Sequence, residues 1–193
     1  MMLEYILIAL GTTIFGLQHS GLSHLPVKHR IIDRFGKEGY ALIFKVTSTV
    51  ALGVAFLSMW FWDWLYFLDL SSVNLLSVFL GAILIGFGLV VSTAASQIIS
   101  VSTVADMRTD REPELITAGI YSRIRHPLYL ATVAIFSGLA FLYPFPRVIA
   151  FSIAMSAYTI IGAVLEERKL IIQYGQDYEE YKKQAGFLLP RLR

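Results

Sequence analysis

The chain has 193 residues, of which 56% are apolar and only 16% charged, and its mean hydropathy is +0.64. That composition excludes an ordinary soluble domain and points to membrane-spanning helices. The net charge of +2 is too small to argue for nucleic acid, and with no cysteine there are no disulfides, thiolate metal ligands or cysteine nucleophile.

A spanning helix needs roughly 20 mostly apolar residues. Leu3 to Gly21 predicts the first. Its opening, "MMLEYILIAL", holds an acid and no basic n-region, so it reads as a span and not as a cleavable signal. Gln18, His19 and His24 are polar groups near its end. They are spaced for neither a helical zinc pair nor a triad, and read as structural. Tyr40 to Trp60 predicts the second span, with Lys45 expected to snorkel. Leu75 to Ala95 predicts the third, inside an uncharged stretch from Leu70 to Ala105. Gly81, Gly86 and Gly88 read there as places of close helix contact. Leu128 to Tyr143 and Val148 to Leu165 predict the fourth and fifth, separated by "PFPR". Pro144 and Pro146 break the helix between them, which predicts a tight hairpin. The expected architecture is an all-α bundle of about five spans. Residues 1–105 carry three of them, and residues 106–193 form a C-terminal half with two spans and polar segments.

Lys and Arg set the expected orientation. Lys28, Arg30, Arg34 and Lys37 follow span one. Arg108, Arg111, Arg123 and Arg125 precede span four, and Arg168, Lys169, Lys182, Lys183, Arg191 and Arg193 follow span five. Positive-inside logic makes this shared face cytoplasmic and puts the N-terminus and Arg147 outside. Basic residues clustered on one face also suit an anionic leaflet and its lipids.

Two polar segments lie on that face. Residues 106–126 carry Leu115, Ile116, Ile120, Tyr121 and Ile124 among their charges, so they are expected to be ordered. After span five, Ile171, Tyr174, Tyr178 and Tyr181 recur at helical spacing, with an interruption expected at Gly175. The tyrosines read as packing aromatics. Between the segments, "IRHPLY" starts span four at Pro127, because proline is favoured in a first helical turn. Free backbone N–H groups and the positive dipole end meet Arg125 and His126 there. The result is a donor-rich corner suited to an anion or a polar heterocycle. Glu166 and Glu167 end span five. Adjacent helical residues point about 100° apart, so at most one faces the corner squarely. A carboxylate there can pair with Arg125 or hold a ligand's hydroxyls. Without a ligand, the corner is a phosphate clamp for lipid headgroups.

"LITAGIYSRIRHPLY" (Leu115–Tyr129), "EERKLIIQYGQDYEEY" (Glu166–Tyr181) and Pro190 together resemble the isoprenylcysteine carboxyl methyltransferase family. These are integral membrane enzymes that use S-adenosyl-L-methionine and release S-adenosyl-L-homocysteine. "FGLQHSGLSH" (Phe15–His24) resembles the opening of a related small-thiol methyltransferase branch. The resemblance implies a cytoplasmic cofactor pocket formed by Pro113, Glu114, Leu115, Ile116, Tyr121, His126, Pro127, Leu128, Tyr129 and Glu167. Arg125 and Glu166 would be the catalytic residues. It implies a lipophilic, prenylcysteine-like acceptor entering from the bilayer, methylated on its carboxylate, with no metal. A small thiol or a lipid amine is the alternative acceptor, and a lipid-binding membrane protein the non-enzymatic one. Eukaryotic members carry an Arg four residues before the acidic pair. This chain has Gly162 there, a departure that bears on the acceptor and not on the cofactor.

Methyl transfer from a sulfonium is an in-line displacement that needs alignment and exclusion of water. A cofactor from the cytosol and an acceptor from the bilayer can both reach a site at the membrane boundary.

Overall fold

In the computed structural model, residues 2–69, 73–98 and 115–191 are described. The helices are α1 (Met2–Ser23), α2 (Leu25–Leu57), α3 (Leu75–Ser96), α4 (Pro127–Leu142), α5 (Pro146–Tyr174) and α6 (Gln176–Gln184). No strand occurs among the described residues. α1, α2, α3 and α5 are long and apolar enough to cross a membrane, and α4 is a shorter apolar helix. The five expected spans are therefore all present as helices. The pattern makes this a multi-pass integral membrane protein.

Two helices run past their predicted ends. α2 starts 15 residues before Tyr40, at Leu25. Lys28, Arg30, Asp33 and Arg34 lower the hydropathy of that stretch, yet Lys28 and Ile32, four apart, share one buried face. Gly36 breaks the helix with φ 73°, so the charged turns and the apolar span join at a kink. α5 continues to Tyr174, carrying Glu166 and Glu167 beyond the apolar run. The chain then reverses at Gly175, with φ 54°, into α6.

The chain divides into two compact units, and α5 runs from one into the other. The first holds Met1–Leu75 and Tyr143–Ala154. In it, α1 meets the end of α2 at Gly11, where an added Cβ would lie 2.5 Å from Ser58 Oγ and 3.1 Å from Ala55 Cα. Gln18 Nε2 donates to Thr47 Oγ1 (2.8 Å), and His19 packs against Phe15 and Phe44. Both residues thus hold helix to helix. At one end of the unit, Arg147 pairs with Glu4 and donates to the Trp60 carbonyl. Phe61, Trp64, Tyr66, Tyr143 and Phe145 pack around that end. The expected grouping of the N-terminus with "PFPR" matches this ion pair. Lys45 is exposed.

The second unit holds Leu76–Leu142 and Met155–Arg193. Here α3 and α4 run antiparallel along a seam of small residues. A Cβ at Gly81 would meet the Leu142 nitrogen at 2.7 Å and the Gly138 carbonyl at 2.8 Å. One at Gly88 would meet the Ala131 carbonyl at 2.7 Å. In lipid, with little hydrophobic drive between helices, such close backbone approach provides much of the packing energy. Gly86, also expected at a contact, has open space where its Cβ would be.

Gly81→Ala must push α3 and α4 apart and should destabilise by about 1–3 kcal/mol. Gly86→Ala should be neutral or stabilising by up to about 1 kcal/mol, the helix-propensity difference. Unfolding in mixed detergent micelles checks the contrast, and equal effects at the two positions would contradict the seam.

Candidate functional site

The corner at the start of α4 is built by a C-terminal strap. Beyond α6, residues 185–187 run beside residues 123–126 and form a single parallel bridge between Ile124 and Gly186. The Arg125 N–H donates to the Gly186 carbonyl (2.8 Å), and the His126 N–H to the Phe187 carbonyl (3.1 Å). The Gly186 N–H donates to the Arg123 carbonyl (2.9 Å). Gly186 is required by its surroundings, since a Cβ there would collide with the Leu189 carbonyl. Pro127 is fully buried as the first residue of α4, where a missing N–H costs nothing.

Arg125 buckles the strap to α5. Its Nε donates to Glu167 Oε1 at 2.6 Å, and its Nη1 donates to the carbonyls of Ala185 and, at 3.4 Å, Lys182. The guanidinium also lies 5.8 Å from the centre of the Phe187 ring. Glu167 receives a second bond from the Tyr178 hydroxyl (3.3 Å). The paired side chains are 9% and 17% exposed, so both charges are largely out of solvent and spent on each other. Tyr178 and Tyr181, with Ala185, form a buried cluster on which Leu115 packs, and the Tyr181 hydroxyl donates to the Tyr121 carbonyl. The tyrosines of the expected helical face are thus packing residues.

His126 is buried between aromatic neighbours, 5.0 Å from the Phe187 ring and 5.5 Å from the Tyr129 ring. Nδ1 stands 3.8 Å from Glu166 Oε2, and Nε2 stands 3.4 Å from Glu167 Oε1 without hydrogen-bond alignment. Nε2 is buried and has no hydrogen-bond partner. Burial pushes the imidazole below its ordinary value, against the opposing pull of Glu166 and Glu167, so the ring is neutral near pH 7. Tyr121 is pushed up to about 12 by burial and then by Glu166, and Tyr181 to about 12 by burial. Burial and then Glu167 raise Tyr178. All three phenols are therefore neutral.

Glu166 is the contrasting acid. Its side chain is 43% exposed, and among the described residues no Arg or Lys lies within ion-pair distance. Among the described residues, the corner thus holds one paired cation, one paired anion and one carboxylate with no Arg or Lys in range. Of the residues expected at the site, Tyr121, Arg125, His126, Pro127, Tyr129, Glu166 and Glu167 come together here. Ile116 is half-buried and Leu128 exposed, while Pro113 and Glu114 lie outside the described residues. Tyr178, Ala185, Gly186 and Phe187 belong to the corner and were not expected in it. The apolar run "FLLP" just after a charged helix was their signal in the sequence.

Folding holds the His126 pKa below the ordinary 6.5. As pH falls, the unfolded chain takes up this proton first. The stability contributed by the neutral ring is full above about pH 6.5 and is lost as pH falls through the folded value. The wild-type melting temperature should therefore drop more between pH 7.5 and 5.5 than that of His126→Asn, which cannot charge. Parallel curves would contradict the neutral, buried imidazole.

Sequence comparison fits this corner. The phospholipid methyltransferase family matches residues 76–177. A methanethiol S-methyltransferase of Pseudomonas deceptionensis is 27% identical over 94% of this chain and 71% of its own length. One from Pseudomonas sp. (strain GM41(2012)) is 31% identical over 44% of this chain and 32% of its own. A protein-S-isoprenylcysteine O-methyltransferase of Dictyostelium discoideum is 25% identical over 82% of this chain and 67% of its own. No solved structure matches. Because the family match takes in more than half of the chain, including Arg125, His126, Glu166 and Glu167, this protein belongs to the phospholipid methyltransferase family and is a membrane methyltransferase.

Proposed function

We propose that the protein is an S-adenosyl-L-methionine-dependent methyltransferase whose acceptor is a small, neutral thiol. The observation that carries this reading is the charge balance of the corner. Arg125 pairs with Glu167, and among the described residues no Arg or Lys lies within ion-pair distance of Glu166. A carboxylate acceptor is ionised at neutral pH. Brought within about 4 Å of Glu166 it would meet a repulsion of about 4 kcal/mol at an effective dielectric of 20. A thiol is neutral on arrival and gains from a nearby base. The similarity to the Pseudomonas deceptionensis methanethiol S-methyltransferase across 94% of the chain supports the same choice.

The residues present fit the methyl donor. Its ribose, carboxylate and ammonium need both donors and acceptors. The buried, unpartnered His126 Nε2 and the half-exposed Glu166 carboxylate offer both kinds of group. His126, Tyr121 and Tyr129 would line its place, with Pro127, Leu128, Leu115, Ile116, Pro113 and Glu114 as further wall. Bound there, the donor supplies an electrophilic methyl group beside a sulfonium. Glu166 takes the proton as the thiol S–H bond breaks. The donor would supply its methyl group to the acceptor sulfur and leave as the neutral sulfide. Arg125 and Glu167 hold His126 and the strap in place and touch neither reactant. In this reading residues 106–193 carry the chemistry at the cytoplasmic face, and residues 1–105 supply membrane spans.

Esterification of a prenylcysteine is the second reading, favoured by the Dictyostelium similarity across 82% of the chain. Labelled S-adenosylmethionine given to the detergent-solubilised protein with a small alkanethiol should yield the methyl thioether, and farnesylcysteine should yield no methyl ester. Loss of a general base typically costs 100-fold or more. Glu166→Gln should therefore cut thiol turnover by at least about 100-fold. Ester formation in place of thioether, or a fully active Glu166→Gln, would reverse the assignment.

A further inference from the structure

α1 and α2 run antiparallel, and three contacts fix their register. Gln18 Nε2 donates to Thr47 Oγ1 (2.8 Å), the His19 ring lies 4.9 Å from that of Phe44, and the Tyr40 hydroxyl donates to the Leu22 carbonyl (3.2 Å). Between Leu22 and Tyr40 the chain bends twice. His24 is extended, with ψ 125°, and separates α1 from α2. Gly36 has φ 73°, and a Cβ there would meet no atom within 4 Å, so what this glycine supplies is the bend and not space. The bends enclose a helical rod, Leu25–Phe35, about 16 Å long. Its start lies three residues past Leu22 and its closing bend four residues before Tyr40, about 4.5 and 6 Å along the two spans. Both ends are therefore at nearly one depth, and a rod of that length joins them only by lying across the spans. That depth is the edge of the apolar run that begins at Tyr40.

The rod has three sides. Lys28 and Ile32 are buried, with the Lys28 ammonium 5.6 Å from the centre of the Tyr40 ring. Val27, Ile31 and Phe35 recur every four residues as an apolar stripe outside that buried face, the first two half-buried and Phe35 exposed. Arg30, Asp33 and Arg34 are exposed on the remaining side. Arg30 is three residues after Val27 and Arg34 three after Ile31, so both guanidinium groups border the apolar stripe. Apolar residues bordered by arginines, on a helix at the edge of a span, fit the headgroup layer of a bilayer. Arg30 and Arg34 stand four apart, a like-charge pair that repels. A phosphate between them removes the repulsion and takes charge-assisted bonds from both.

We propose that Leu25–Phe35 is an interfacial helix lying in the plane of the bilayer surface, with Val27, Ile31 and Phe35 among the acyl chains and the phosphate of an anionic lipid held between Arg30 and Arg34. The occupant is a lipid of the surrounding leaflet and not a free anion, because the apolar stripe and the two arginines together match a bilayer edge. This site is independent of the methyl acceptor.

The chain has no cysteine, so each label reports one position. Spin labels on Ile31→Cys, Phe35→Cys and Asp33→Cys, in protein reconstituted into bilayers containing phosphatidylglycerol, give depth as the ratio of oxygen to nickel-chelate accessibility. The ratio should be higher at 31 and 35 than at 33. Equal ratios at all three positions, whether in water or in lipid, would overturn the flat helix. A bimane label on Phe35→Cys then reads the lipid beside the rod through quenching by brominated lipids. Brominated phosphatidylglycerol should quench at least about twofold more than brominated phosphatidylcholine at about 0.1 M salt. The preference should shrink at about 1 M, where the Debye length falls from about 10 Å to about 3 Å. Arg30→Gln with Arg34→Gln should abolish it. Arg168→Gln with Lys169→Gln, which removes the same charge from an exposed part of α5, should leave it in place. Equal quenching by the two lipids in the native background, or equal loss in both double variants, would overturn the phosphate site.

Discussion

A buried guanidinium must find both a counter-charge and several acceptors, and among the described residues Arg125 finds them on two other segments. Its carboxylate is Glu167 on α5, and its carbonyl acceptors are on the C-terminal strap. Desolvating either ion alone would cost several kcal/mol, so the three segments must close together or not at all. The reversal at Gly175 makes this closure possible by folding α6 back to bring Tyr178 onto Glu167. His126 then inherits its place from its neighbours. Its backbone is tied to Phe187, and its ring is clasped by Phe187 and Tyr129.

The same pairing determines the electrostatics of the corner. Two adjacent acids leave the end of α5, and the helix turns them about 100° apart. One is consumed by Arg125 and becomes part of the scaffold. The other remains half-exposed beside a neutral imidazole and neutral phenols. Among the described residues, the corner thus carries one ion pair and one carboxylate with no Arg or Lys in range, which is the basis of the proposed neutral acceptor. In the proposed function, the division of labour between Glu166 and Glu167 follows from which of them pairs with Arg125.

Much of this was legible in the sequence because lipid makes local rules strict. Every backbone group in a span must be satisfied within its helix, so apolar runs became helices at the expected places. Pro127 marked the start of α4, Gly175 the break before α6, and Gly81 and Gly88 the helix seam. The early turns of α2 were hidden because their charges masked an amphipathic period. The strap was hidden for another reason. Arg125 meets Lys182 and Ala185 across 57 and 60 residues of chain, and no local pattern encodes such a contact. The sequence suggested that a carboxylate could pair with Arg125, and the acid that does so is Glu167, the one expected to hold the ligand. Gly86 shows the limit of composition rules, since a small residue in a span need not face a neighbour.

The measurement that bears most directly on this account is a stability double-mutant cycle between Arg125 and Glu167, using Arg125→Gln and Glu167→Gln in detergent. A charge-assisted bond of this kind contributes about 1.5–3 kcal/mol, and each single variant strands its partner's charge. The account predicts that either single change destabilises strongly and that the double variant loses far less than the sum, with a coupling of about 1.5–3 kcal/mol. Additive losses would mean that the two charges are not spent on each other. Glu167 would then be a free carboxylate, and the charge balance from which the thiol acceptor is argued would no longer hold.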